Sequence, residues 1–351
     1  MTTTIAPDAS VLVINVARIG DTLMTTPVLR AIRAAYPEAR VGCLAHPKRA
    51  AVLEGLEWVN SLGTITPKIA RWRGRFGGKK WDYALVYGRD APLIRYAARV
   101  ARHVIAFRQD DEKLNRLLWR AVSFTRPREE FHAVEEHLLL ASPLGIETTD
   151  YRLAYRPGEE ELKNAAAWIS RHIPAGARPL VGFQVASFPT KSYRDWPLQN
   201  FSELGARILG NYPDAHLLIL GGRESRDKAK WLESQAPGRI TSVAGRFDLR
   251  GTAAVMHHLN LYVGVDTGPT HIAGALGIPM VVLYHCYHPS QRLAPKGHPL
   301  LRAVDHPRAG AACSRDTPMD EITVDMVWAR VKELLDLNHA QKPLAPAETK
   351  P

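Results

Sequence analysis

A chain of 351 residues with 46% hydrophobic and 23% charged residues has the composition of a soluble globular protein and room for about two domains of ordinary size. No apolar run approaches the roughly 18 residues of a membrane-spanning helix, and residues 1–10 hold no basic stretch ahead of an apolar core, so neither a membrane span nor a signal peptide is expected. The net charge of +11 favours phosphate-rich partners, and three widely spaced cysteines (Cys43, Cys286 and Cys313) suggest neither a disulfide framework nor a zinc pattern, which suits a reducing cytoplasm.

In chain order, residues 11–16 read as a buried parallel strand. It leads through Ala17-Arg-Ile-Gly-Asp-Thr-Leu-Met-Thr-Thr-Pro27 into a helix over 28–35, with Pro27 marking either an early helical turn or a kink. Asp21 follows a glycine at the strand's carboxyl end, the usual place for a functional group in open α/β sheets. A helix N-cap is the other reading of that residue. Further strands are expected over 40–45, 83–87 and 104–107. Between the first two of these lies a segment with six basic residues and no acid: Lys68, Arg71, Arg73, Arg75, Lys79 and Lys80. Trp72 and Phe76 sit among them and suit a loop that dips into a headgroup layer, although a solvated basic loop has the same composition. Arg95, Arg99, Arg102 and His103 are expected to extend the basic surface on a helix.

The pattern breaks between Arg156-Pro-Gly158 and Ala175-Gly-Ala-Arg-Pro179, with one amphipathic helix over 159–172 between the two punctuators. Strands then recur over 180–185, 216–220, 240–243, 261–265 and 280–284. Alternating strands and helices predict parallel sheets with right-handed crossovers. The expected fold class is α/β, as two doubly wound domains facing each other across a cleft. The expected boundaries are 1–158 and 159–337, the second closing with a helix over 323–337, followed by a loose tail over 338–351.

Two segments of the second half carry chemistry. Residues 185–197 form a loop rich in hydroxyl and cationic groups, where Lys191 and Arg194 suit stabilisation of a phosphate leaving group, or are simply surface charge beside a helix start. In 261–279 a strand turns through Asp266-Thr267-Gly268 into a helix opening with Pro269. The positive helix end, with the hydroxyls of Thr267 and Thr270 and the imidazole of His271, makes a phosphate or pyrophosphate site, the other reading of the segment being an ordinary strand-to-helix turn with a capping Asp.

These residues resemble the ADP-heptose:lipopolysaccharide heptosyltransferase family, glycosyltransferase family 9. The resemblance runs from Val11 to about Leu335. It is carried by Arg18-Ile-Gly-Asp-Thr-Leu-Met-Thr-Thr-Pro27, Trp81-Asp-Tyr-Ala-Leu-Val86, the Trp196-Pro197 helix start, and Asp266-Thr-Gly-Pro-Thr-His271 followed by Ala275-Leu-Gly-Ile-Pro279. It implies the GT-B architecture and an inverting, metal-independent transfer of heptose from ADP-heptose to a lipopolysaccharide inner-core acceptor. By the same resemblance Asp21 is the base that deprotonates the acceptor hydroxyl. Lys191 or Arg194 neutralises the donor diphosphate, with Thr267, Gly268 and His271 binding it. Asp266, Thr270, Glu224 and Phe247 would hold nucleotide and sugar, Glu224 as a ribose-binding acid and Phe247 against the base. Arg18 and the basic segment would face the acceptor and an anionic membrane surface. No cofactor, metal or nucleic acid is expected, and the location implied is the cytoplasmic side of the inner membrane.

The chain departs from the family after Tyr284, where many relatives carry a Gly-Pro-Thr-Asp-Pro-like loop and this one has His285-Cys-Tyr-His-Pro289; the cysteine pattern before the last helix is reduced to Cys313. These residues are read as loop and rim rather than metal ligands, and His257-His258 as packing and surface. The departures leave open a different donor sugar, or another nucleotide-sugar enzyme such as an epimerase or hydrolase. A nucleotide-cofactor oxidoreductase lacks support, since no Gly-x-Gly-x-x-Gly follows the first strand. A nucleic-acid-binding protein using the basic segment is a further rival, for which only weak binding to arbitrary DNA at physiological salt is expected.

Overall fold

The computed structural model describes residues 5–340, with side chains through Leu337. The chain divides into two compact units, Met1–Pro157 together with Gln291–Gly297, and Gly158–Ser290 together with His298–Pro351.

The first unit is built on β1 (Ser10–Asn15), β2 (Arg40–Ala45), β3 (Ser61–Thr64), β4 (Trp81–Val86), β5 (Ala101–Phe107) and β6 (Arg120–Val122). They form one sheet in the order β3-β2-β1-β4-β5-β6, every pair parallel. Every residue of β1 is buried because helices cover both faces, which is why the strand reads as an unbroken apolar run rather than an alternation. The second unit repeats the plan with β7 (Leu180–Gln184), β8 (His216–Leu220), β9 (Ile240–Ser242), β10 (Leu261–Val265), β11 (Met280–Tyr284) and β12 (Leu301–Asp305), ordered β12-β11-β10-β7-β8-β9. In each unit the chain starts on a central strand, winds outward on one side and then restarts on the other. The order therefore reverses between β1 and β4, and between β7 and β10, and ligands bind at the carboxyl edge of such reversals.

The continuous apolar strands fall where their composition placed them. Those missed, β3, β6 and β12, are edge strands that mix exposed and half-buried positions, so no apolar run marks them. The basic helix expected to include Arg102 and His103 ends earlier: α4 covers Ala91–Val100, and Arg102 and His103 belong to β5, with His103 opposite Tyr83 of β4. Their pairing with β4 overrides the helical spacing of the arginines. The cysteine reading is also corrected. Cys286 and Cys313 form a disulfide, with Cα atoms 6.0 Å apart, and only Cys43 is free. A separation of 27 residues in sequence concealed a pairing that the two loops create in space.

Helix α1 (Ile19–Leu23) follows β1, and α2 (Thr26–Ala35) carries Pro27 in its first turn, so Pro27 starts a helix rather than kinking one. The helix Glu159–His172 has Glu159, Glu160 and Glu161 at its positive end and Arg171 and His172 at its negative end. The last helix runs Val324–Ala340, through residues expected in the tail; the rest of that tail, 341–351, lies outside the described residues. Among the described residues no helix is long and apolar enough to cross a membrane.

Candidate functional site

In the first unit β1 ends in Asn15, which is buried and holds the turn that follows. Its Oδ1 accepts from the Ala17 N–H at 3.0 Å, and its Nδ2 donates to the Asp21 carbonyl at 3.0 Å. Arg49 donates to the Val16 and Ala17 carbonyls at 3.1 and 2.7 Å. The turn's backbone groups are thus satisfied by side chains rather than by ladder partners. The N-cap of α1 is Arg18, so Asp21 is not a helix cap. It sits half-buried in the first turn, and its carboxylate makes no hydrogen bond or ion pair among the described residues. Arg18 is exposed, and its carbonyl accepts from the Thr22 N–H and hydroxyl.

Asp21 lines a cavity of 450 Å³ together with Tyr87, Arg89, Arg128, Glu136 and Arg292. Glu136 is buried and accepts from Arg128 Nε at 3.0 Å and Nη2 at 2.5 Å, while Arg292 Nη2 lies 3.6 Å away. The Glu136 hydrogen bond raises the Arg128 guanidinium's pKa, and Asp21 adds to the effect. Arg292 escaped the sequence reading because nothing local marks it. The stretch Gln291–Gly297 leaves the second half of the chain to join the first unit, where His132 Nε2 meets the Ala294 carbonyl at 2.7 Å and Lys296 pairs with Glu135.

The basic segment lies elsewhere on this unit. It begins in α3 (Pro67–Ala70), and Arg99 ties the following turn down by donating to the Ala70 and Arg73 carbonyls. Trp72 is 67% and Phe76 95% exposed, with the Arg75 guanidinium 4.4 Å from the Trp72 ring. Lys68, Arg71, Lys79 and Lys80 are exposed beside them.

In the second unit β7 and β10 lie side by side, and the loops that leave them meet. Gly264 allows the close approach: a Cβ there would lie 2.7 Å from that of Gln184 and 2.9 Å from the Tyr262 hydroxyl. Asp266 follows β10, and the helix Gly268–Ala275 opens with Pro269 in its first turn, so the Gly268 N–H has no partner within the helix. Arg194, from the loop after β7, donates through Nη1 to the Asp266 carboxylate at 2.6 Å. His271 Nε2 lies 3.6 Å from the other carboxylate oxygen. Arg194 Nε and His271 Nδ1 remain buried without hydrogen-bond partners. Lys191 makes no ion pair among the described residues; its ammonium lies 5.6 Å from the Tyr193 ring. Arg194, Asp266 and His271 come together beside the N-terminus of the Gly268–Ala275 helix, with Lys191 on the same loop as Arg194, a setting whose positive groups suit an anion.

Thr267 is half-buried at the helix N-cap. Thr270 differs from expectation: it is fully buried, and its hydroxyl donates to the Val265 carbonyl at 2.7 Å and contacts the Tyr262 hydroxyl at 2.9 Å. It braces the turn from beneath rather than facing a ligand. Glu224 is exposed after the Gly221-Gly222 turn, and Phe247 is half-buried with its ring edge-on to Trp168 at 5.6 Å. Within the loop 285–289 the two ends differ from each other: His285 and Cys286 are buried, at 1% and 6% exposure, whereas Tyr287 is exposed and His288 half-buried. The ligand atoms of His285, Cys286 and Cys313 lie within 4.8 Å of one another, yet the two sulfurs are bonded to each other. Both His285 nitrogens are taken as well, Nδ1 by the Tyr287 N–H at 3.0 Å and Nε2 by the Thr317 carbonyl at 2.9 Å.

A sequence profile of glycosyltransferase family 9 (heptosyltransferase) matches residues 90–318. The chain belongs to glycosyltransferase family 9. The matched span contains the Lys191–Arg194 loop and the Asp266–His271 turn, but not Asp21. Lipopolysaccharide heptosyltransferase 3 from Escherichia coli is 24% identical over 285 residues, covering 76% of this chain and 80% of that protein. A family 9 glycosyl transferase from Veillonella parvula superposes with a TM-score of 0.79 at 19% identity, covering 94% of this chain and 97% of that one. The Escherichia coli ADP-heptose lipopolysaccharide heptosyltransferase II follows with a TM-score of 0.76 at 20% identity, over 94% and 99% of the two chains. This family 9 member is therefore a glycosyltransferase, and its two six-stranded sheets match the GT-B architecture of those structures.

Proposed function

We propose that this glycosyltransferase moves a heptose from ADP-heptose to the inner core of lipopolysaccharide, with inversion, at the cytoplasmic face of the inner membrane. The observation that carries the donor half is the Arg194–Asp266–His271 cluster beside the Gly268 helix end, with Lys191 on the same loop as Arg194 and no ion pair of its own among the described residues. In this reading the helix end and Lys191 hold the diphosphate, Glu224 meets the ribose and Phe247 the adenine. Asp21, an unengaged carboxylate in a cavity, takes the proton of the acceptor hydroxyl as that oxygen attacks the anomeric carbon. The bond from carbon to phosphate oxygen breaks, and ADP leaves with its charge matched by fixed cations. In this reading Lys191 and the helix end take the place of a divalent metal, and the sequence has no Asp-x-Asp pair to bind one. The basic segment with Trp72 and Phe76 fits an anionic lipid surface where the acceptor resides.

The test is to incubate the protein with truncated lipopolysaccharide and either ADP-heptose or UDP-sugars, with and without EDTA, and to weigh the glycan. A mass gain of one heptose with ADP-heptose alone, undiminished by EDTA, is expected. Gain from a UDP-sugar would reassign the donor. Donor consumption without an acceptor would favour an epimerase or hydrolase.

A further inference from the structure

The loop that departs from the family, residues 285–289, braces the cationic loop of the donor site. Tyr193 lies between Lys191 and Arg194 in sequence, and both cations stand 5.6 Å from its ring. The ring is fixed by two histidines of the departing loop. His288 Nε2 is 3.0 Å from the Tyr193 hydroxyl, and His285 meets the ring edge-on at 5.2 Å. Burial and the neighbouring Arg194 hold His288 down to about 4, so at neutral pH its Nε2 accepts from that hydroxyl when Nδ1 carries the proton. Cys286 sits between these two histidines in sequence. Its bond to Cys313 ties the loop to the segment before the last helix, which makes two further contacts with it. The His285 Nε2–Thr317 carbonyl hydrogen bond spans 2.9 Å, and the Arg315 guanidinium lies 5.4 Å from the Tyr287 ring.

We propose that Cys286 and Cys313 are a reversible thiol–disulfide pair, modified by a low-molecular-weight disulfide, whose state sets how firmly Tyr193 and the two cations beside it are held for the donor diphosphate. The functional half of this inference rests on the donor site as assigned above; the mechanical half does not. Cys313 is half-buried and Cys286 buried, so Cys313 is the sulfur an external reagent reaches first. Its thiolate attacks glutathione disulfide, breaking that S–S bond, forming a mixed disulfide and releasing one glutathione thiolate. The Cys286 thiolate then attacks the Cys313 sulfur and releases the second. Two protein thiols are oxidised, one glutathione disulfide is reduced to two thiols, and the two protons pass to solvent or to the leaving thiolates. Thiol reductants run the exchange backwards. Cys43 takes no part, because burial pushes its thiol up to about 12 and keeps it protonated.

The experiment uses the full chain in two states, equilibrated with glutathione disulfide or with dithiothreitol. Thiols are counted by alkylation and mass, ADP affinity is measured by calorimetry, and hydrogen exchange is followed over residues 188–195 without nucleotide. In the oxidised state, Cys286 and Cys313 should both resist alkylation. ADP should bind at least about fivefold more tightly than in the reduced state, the lower end of ordinary coupling between sites. Exchange over 188–195 should be slower. Cys313→Ser should behave as the reduced protein under both conditions. Failure of the pair to form with glutathione disulfide, or equal exchange and equal ADP affinity in the two states, overturns the proposal. Redox-dependent exchange with no ADP binding in either state would instead remove the donor assignment, and with it the proposed coupling to donor binding, while leaving the mechanical brace in place.

Discussion

Arg194 and Asp266 form an ion pair almost withdrawn from water, 2.6 Å between Nη1 and the carboxylate, with 13% and 4% of the side chains exposed. Removing one partner leaves a buried charge uncompensated, which costs about 3–5 kcal/mol. Arg194→Ala and Asp266→Asn should each lower the stability to urea by an amount of that order. A change below about 1 kcal/mol in both would show that the pair is not buried in solution.

In the proposed donor site Asp266 engages Arg194, which leaves Lys191 as the cation for the diphosphate. Lys191→Ala should leave urea stability within about 0.5 kcal/mol, as for an ordinary surface change. It should lower turnover by roughly two to three powers of ten, the loss seen when a fixed charge-stabilising group is removed. Near-normal turnover would return the phosphate role to Arg194.

Asp21 is the acid that follows β1 at the switch point of the first sheet, in a cavity that Asp90 and Glu136 also line. Asp21→Asn preserves shape and removes the base, so turnover should fall by about two to four powers of ten with ADP affinity unchanged. Initial rates and ADP calorimetry on the same preparation decide it; a mutant within tenfold of the parent would remove Asp21 from the mechanism.

Trp72 and Phe76 stand out from a surface with six cations. Each basic residue near an anionic surface contributes about 1 kcal/mol, screened by salt. Replacing Arg71, Arg73 and Arg75 together by Ser should abolish co-sedimentation with phosphatidylserine vesicles at low salt, with ADP binding unaltered. Equal sedimentation of parent and triple variant would reduce the segment to a solvated loop.

Burial, aided by Arg239, pushes the His216 imidazole down to about 4, and burial with Arg194 does the same for His288. The ordinary value is about 6.5, so between about 4 and 6.5 the unfolded chain binds more protons than the folded one. The stability these residues confer is full above that window and is lost as pH falls through it. Tm should therefore be lower at pH 5 than at pH 7, and His216→Asn should flatten the dependence. A parent protein with the same Tm at both values would contradict the assignment.

The sequence by itself determined the repeated α/β plan, the central strands, the helix Glu159–His172 and the two turns that bear Asp21 and Asp266. Each depends on neighbours within a few positions: an apolar run long enough for a buried strand, a proline able to open a helix, a glycine at a close approach. The edge strands β3, β6 and β12 were illegible because almost none of their positions is fully buried and the pairing partner defines each. Tertiary structure alone decided the rest. It placed Arg194 on Asp266, 72 residues away in sequence, and left Lys191 without an ion pair among the described residues, a difference between two cations that the sequence left interchangeable. It carried Arg292 into the cavity of Asp21 and joined Cys286 to Cys313. Such contacts are made by parallel strands and their loops, whose proximity follows from sheet order rather than from chain spacing, so no local pattern records them.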